Sequence, residues 1–105
     1  MDKYEILITK PAENDLREIS RYIADELMEP DTARRFLKRL SEKIMSLETM
    51  PNRYAVVNDE YLKFKGYRLI CADRHLIFYR TDDELKRVYI TRVLNERREW
   101  SDILK

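Results

Sequence analysis

Three stretches in the last third of the chain have the short, β-branched and aromatic-rich build of strands: residues 67–72, 75–81 and 87–94. The connections between them, Asp73-Arg74 and the acidic run from Asp82 to Lys86, are short enough for hairpins, which predicts an antiparallel meander. Residues 4–10 alternate in the same way, carry Ile6, Ile8 and Thr9, and close at Pro11, which cannot extend a ladder. The period then changes to three and four. Ala12, Leu16, Ile19, Ile23 and Leu27 predict an amphipathic helix from residue 11 or 12 to about 28, with Pro11 in its first turn. Pro30 breaks it, Asp31 or Thr32 is placed to cap the next helix, and Ala33, Phe36, Leu37, Leu40, Ile44 and Leu47 carry the same spacing to Met50-Pro51. So short a connection predicts a helical hairpin. Residues 52–60 read as irregular, and residues 97–104 as a short helix with Trp100, Ile103 and Leu104 on one side. The expected fold is α+β, β-α-α-β-β-β with an antiparallel sheet, the helical hairpin on one face and a short C-terminal helix. The opposite face of the sheet is left partly open.

A length of 105 residues supports one domain over 1–105, with 44% hydrophobic residues for a core and 39% charged residues for a surface. The net charge of +1 conceals an asymmetry. Residues 1–60 hold ten Lys and Arg against thirteen Asp and Glu, and residues 61–105 hold eleven against seven, so the second half is basic. Cys71 is the sole cysteine; it allows no internal disulfide and reads as a small core residue in a reducing compartment. No signal-peptide pattern and no membrane-length apolar stretch is present, so the expected compartment is the cytoplasm. There is neither a glycine-rich phosphate loop nor a His or Cys pair at ligand spacing, so no cofactor and no metal are expected.

The candidate chemistry lies in four arginines. Arg80 and Arg92 sit deep inside strand patterns, and Arg97 and Arg98 follow at the strand exit. A guanidinium keeps its proton, so each must be paired, solvated along its stem or aimed at an anion. The competing reading is a salt-bridged surface, with Asp73, Asp82, Asp83, Glu84, Glu96 and Glu99 as partners.

The string Leu76-Ile77-Phe78-Tyr79-Arg80, the acidic turn, and Val88-Tyr89-Ile90-Thr91-Arg92-Val93-Leu94-Asn95-Glu96-Arg97-Arg98-Glu99-Trp100 resembles the C-terminal signature of the RelE/ParE superfamily of bacterial type II toxins. It is most similar to the ParE-like, plasmid-stabilisation branch, and the element order and length agree over essentially the whole chain. The resemblance implies a toxin silenced by a cognate antitoxin in a hetero-oligomeric complex. For the ParE-like branch it implies DNA gyrase as target; for RelE-like members it implies ribosome-dependent cleavage of mRNA.

Cleavage by the RNA's own 2′-hydroxyl needs a base, an acid and cations around the phosphate. In that alternative His75, Arg80, Arg92 and Arg97 form the set, with Tyr79 or Tyr89 as further bases. Tyr79 and Tyr89 also read as a cross-strand aromatic pair. RNase members resemble one another in a C-terminal tyrosine or histidine, and here only Glu99, Trp100, Ser101, Asp102, Ile103, Leu104 and Lys105 follow Arg98. The ParE-like reading needs no chemistry: Arg80, Arg92, Arg97, Arg98 and Trp100 bind the target, Trp100 alternatively packing the last helix. Tyr22, Met28 and Met45 fall beside the helix cores and are the expected groove for an antitoxin helix. A third reading is a non-toxic binding domain of the same fold, which requires the arginines to be paired internally.

Overall fold

The computed structural model describes residues 3–104. Strand β1 (Glu5–Ile8) leads into helix α1 (Lys10–Arg21), and Thr9 joins the two. The Thr9 hydroxyl accepts from the Ala12 amide and lies 2.8 Å from the Ile90 carbonyl, to which it donates, so one side chain caps the helix and ties it to the sheet. The last turn of the expected helix widens: residues Tyr22–Glu26 form a π-helical segment in which the Leu27 amide bonds the Tyr22 carbonyl. Met28, at φ 54°, then turns the chain into helix α2 (Pro30–Met45). Glu29 occupies the cap position, its side chain accepting from the Thr32 hydroxyl and capping no amide, so neither Asp31 nor Thr32 caps; Asp31 lies inside the first turn and pairs with Arg34.

The sheet order is β1-β4-β3-β2, with β2 (Arg68–Ala72), β3 (His75–Asp82) and β4 (Arg87–Asn95) forming the predicted meander. One detail departs from expectation. Strand β1 pairs with β4 in parallel, Glu5 opposite Arg87 through Ile8 opposite Ile90, so the sheet is mixed. The helical crossover between β1 and the meander makes this pairing available, since a parallel neighbour needs a long connection.

Both faces of the sheet carry a core. On one side Phe36, Leu40 and Ile44 of α2 meet Ile70, Ile77 and Ile90. On the other, Phe78 and Leu94 meet Leu62 and Trp100, from two short helices, α3 (Glu60–Phe64) and α4 (Trp100–Leu104). Helix α3 begins where the stretch read as irregular ends, in residues that no sequence pattern assigned. Asp59 caps it by accepting from the Leu62 amide, and Gly66, at φ 82°, ends it: the Tyr67 amide bonds the Leu62 carbonyl and the Gly66 amide that of Lys63. Cys71 is exposed, against the core reading. It stands opposite Leu76 near the end of an edge strand, on the face that α3 and α4 cover only in part.

A bulge organises β4. Phe78 is opposite Arg92 and Tyr79 opposite Ile90, so Thr91 is the extra residue, and its hydroxyl donates to the Phe78 carbonyl over 3.0 Å. Ile90 and Val93, three apart, therefore both reach the helix-side core. Beyond Ile8 there is no β1 to pair with β4, and the side chain of Asp15 stands in for it. Its Oδ2 accepts from the Val93 amide at 2.9 Å and from Arg92 Nε at 2.7 Å, while Oδ1 accepts from Arg92 Nη2 at 2.9 Å. Asp15 is buried, and Arg92 sits above its ordinary pKa because of this bond.

Two outcomes follow from this packing. Asp15→Ala strands the Arg92 guanidinium and the Val93 amide, and should lower the unfolding free energy by about 3 kcal/mol, at the low end for a broken buried pair because Arg92 keeps some solvent contact. Urea titration measures it, and Asp15→Leu with Arg92→Met should recover most of the loss. Tyr79 is fully buried, donates to the Pro51 carbonyl at 2.6 Å, and is pushed up to about 12 by burial. The fold thus favours the neutral phenol: its contribution is complete below the ordinary value of about 10 and is lost as pH rises through about 12. Tyr79→Phe should be less stable at neutral pH by about 1 kcal/mol, with a melting temperature that falls less steeply than wild type above pH 10.

Candidate functional site

Strand register brings together residues that are distant in sequence. His75 lies opposite Asn95, so the β2–β3 turn meets the β4 exit, and the Glu96 amide bonds the Arg74 carbonyl over 3.0 Å. Asn95 shapes that exit: its Oδ1 accepts from the Arg97 amide and its carbonyl from the Arg98 amide, each at 3.0 Å. Arg97 and Arg98 are exposed, and among the described residues neither guanidinium has a hydrogen bond or an ion pair. The carboxylates offered by the competing reading are otherwise occupied or apart. Asp73 is paired with Arg39 at 2.6 Å, Asp82 accepts from the Leu85 amide, and Asp83 accepts from the Tyr4 hydroxyl and the Asn52 amide nitrogen. The Tyr4 bond, first among the causes, holds Asp83 below its usual pKa.

Arg74 belongs to this end as well and was not singled out by sequence. It is exposed and occupies a two-residue turn in which Asp73 has φ 50° and Arg74 φ 62°, both left-handed. Glycine or asparagine normally fills such a position, because a β-carbon is crowded there. A large cation occupies a strained site. The two-residue gap between strand patterns was the available signal.

The other expected site residues disperse. Arg92 is held by Asp15 and is not an open cation, which corrects its reading as an anion ligand. Trp100 is half-buried, its ring 5.5 Å from Phe78, and anchors α4 onto the sheet rather than projecting toward a target. Arg80 is exposed opposite Tyr89, five residues along β3 from His75, about 17 Å away at strand rise. There its guanidinium lies 5.4 Å from the Tyr67 ring centroid and lines an open groove of about 590 Å³ with Tyr89, Thr91 and the acidic turn.

The proton-transfer set is therefore not assembled. His75 donates from Nδ1 to the Asp73 carbonyl at 2.8 Å and packs edge-on against Phe36, at the other end of β3 from Arg80. Tyr79 is buried and points to Pro51; Tyr89 pairs with Arg80, so the two tyrosines are not cross-strand partners. Among the described residues no cluster of His, Cys, Asp and Glu could hold a metal ion, and no helix is long and apolar enough to cross a membrane.

The expected antitoxin positions are exposed but do not share one groove. Tyr22 and Met28 flank the tip of the helical hairpin and Met45 lies at the far end of α2, about 22 Å away along the helix.

Comparison with known proteins bears on the whole chain. No curated protein matches it significantly. Among solved structures it is similar to the chromosomal ParDE toxin–antitoxin system of P. aeruginosa, with a TM-score of 0.72 at 20% identity over 89% of this chain and 96% of that one. It is also similar to the RelBE2 toxin–antitoxin complex of Mycobacterium tuberculosis, with a TM-score of 0.59 at 24% identity over 90% and 93% of the two chains. At these identities the likeness establishes the fold. The family model described as the ParE toxin of the type II toxin–antitoxin system, parDE, matches residues 6–100, so the chain belongs to the ParE toxin family.

Proposed function

We propose that this ParE-family toxin binds DNA gyrase through the cationic end formed by Arg74, Arg97 and Arg98, and that it acts without catalytic chemistry of its own. The observation that carries the reading is the state of Arg97 and Arg98: two fixed positive charges, presented by an ordered turn, with no carboxylate of the described chain to neutralise them. Unpaired cations of this kind attract an acidic partner and raise its rate of encounter. The scattering of His75, Arg80, Arg92 and the tyrosines supports binding over RNA cleavage, because general acid–base catalysis needs its groups within reach of one phosphate.

The solved structures it is similar to are a ParDE system and a RelBE2 complex, each a toxin with its antitoxin, which supports a cognate antitoxin here. Tyr22, Met28 and Met45, with Leu27, are the apolar positions such a partner would cover, 82% of the Met28 surface being exposed. Their spacing favours an extended segment wrapping the hairpin over a single helix in one groove. On this reading the protein works in the cytoplasm and its module stabilises the replicon that encodes it.

Supercoiling by purified gyrase should stall when the protein is added, and new mRNA ends should be absent when it is added to translating ribosomes; the reverse pattern would establish the RNase. Arg97→Ala with Arg98→Ala should abolish growth arrest on expression without antitoxin while leaving the melting temperature unchanged. A double variant of full potency would place the contact elsewhere. Arg74→Gly should separate stability from activity: relief of the left-handed strain raises stability by about 1 kcal/mol, while the lost charge weakens gyrase inhibition several-fold.

A further inference from the structure

Residues 61–72 contain Lys63, Lys65 and Arg68 and no acidic side chain, interleaved with Tyr61, Phe64 and Tyr67. The fold turns this composition into a surface. Leu62 is buried in the second core, so the single turn of α3 sends Tyr61, Lys63, Phe64 and Lys65 outward, and the Asp59 cap and Gly66 terminus fix the helix at both ends. Phe64 is 87% exposed, the most exposed large apolar side chain among the described residues, although it sits next to a formed core. Two cations already lie over neighbouring rings: Lys65 Nζ is 5.6 Å from the Tyr61 centroid, and Arg80 is 5.4 Å from that of Tyr67. Arg80, over the Tyr67 ring, in turn lines a groove that it shares with Asp82, Asp83 and Glu84 of the β3–β4 turn. Arg68 takes no part, being bonded to the Tyr54 carbonyl.

We propose that this α3 surface is a docking site for single-stranded DNA, one base stacking on Phe64 while the flanking phosphates lie on Lys63, Lys65 and Arg80. An open aromatic face with ammonium groups on either side offers what an unpaired base and its backbone require, and a duplex hides the face that would stack. Stacking on Phe64 and contact with the phosphates use only groups that DNA and RNA share, so RNA gains nothing over DNA. The site is separate from the Arg74, Arg97 and Arg98 end and does not depend on gyrase being the target.

Fluorescence anisotropy with a labelled twelve-nucleotide oligothymidylate and the full-length chain tests it. Binding is expected at 50 mM salt, weaker binding to a duplex of equal length, and no tighter binding to oligouridylate. Phe64→Ala should weaken binding about tenfold and Phe64→Trp should preserve it. Lys63→Ala with Lys65→Ala should reduce the salt slope by about 1.4. Arg97→Ala with Arg98→Ala should bind the oligonucleotide within twofold of wild type, so gyrase inhibition and DNA binding fail independently. The proposal is overturned if Phe64→Ala binds as well as wild type, if duplex or RNA is preferred, or if binding follows Arg97 and Arg98. It is equally overturned if the oligonucleotide is ignored while phosphatidylglycerol vesicles are bound through Phe64. Circular dichroism melts of each variant should match wild type, since every substituted side chain is exposed.

Discussion

A single carboxylate decides how this chain can present its positive charge. Where β1 stops, the next outward-facing amide of β4 would be left without an acceptor in a dry setting, a loss comparable to a hydrogen bond. Asp15 supplies the acceptor and, in the same position, neutralises Arg92 with a bidentate pair. The helix is thereby locked to the sheet beyond the reach of strand pairing. It also withdraws the central arginine from the surface. Of the four arginines in and after the last two strands, those left exposed fall into two separate groups, Arg97 and Arg98 at the β4 exit and Arg80 on β3, with a neutralised pair between them.

The bulge at Thr91 is the second half of that arrangement. Without it, strict alternation would put Arg92 on the same face as Val88 and Ile90, in the helix-side core, where an unpaired guanidinium is untenable. One inserted residue lets Val93 take the core position and moves Arg92 to the boundary, where α1 can meet it. The opposite face then carries its own small core under α3 and α4. These short helices hold the polar and aromatic groups of that face at fixed positions instead of leaving them on loops.

Much of this architecture could be read from the residues. The three late strands and the two long helices have unmistakable periods, and Pro11, Pro30 and the acidic turn mark their limits. Helix α3 escaped because a five-residue helix has one inward position, Leu62, and so no period to detect; Asp59 and Gly66, its cap and terminator, were the only signals. Which arginine is paired was hidden for a different reason. Asp15 and Arg92 are 77 residues apart, and no local pattern links them. Cys71 followed the alternation of its strand, yet lies where the second core has already ended. Arg97 and Arg98 could be picked out as cations, but their companionship with Arg74 depended on a hairpin register that composition does not reveal.

The parallel seam between the first and last strands has a consequence for synthesis. Thr9 reaches its acceptor on Ile90 across 81 residues, so the leading strand has nowhere to dock until residue 90 has left the ribosome. The helical hairpin and the meander can each gather local contacts earlier, but the sheet gains its fourth strand only as the arginines at the β4 exit are themselves being released. Completion of the four-stranded sheet and ordering of the turn that presents Arg97 and Arg98 are thus nearly the same event.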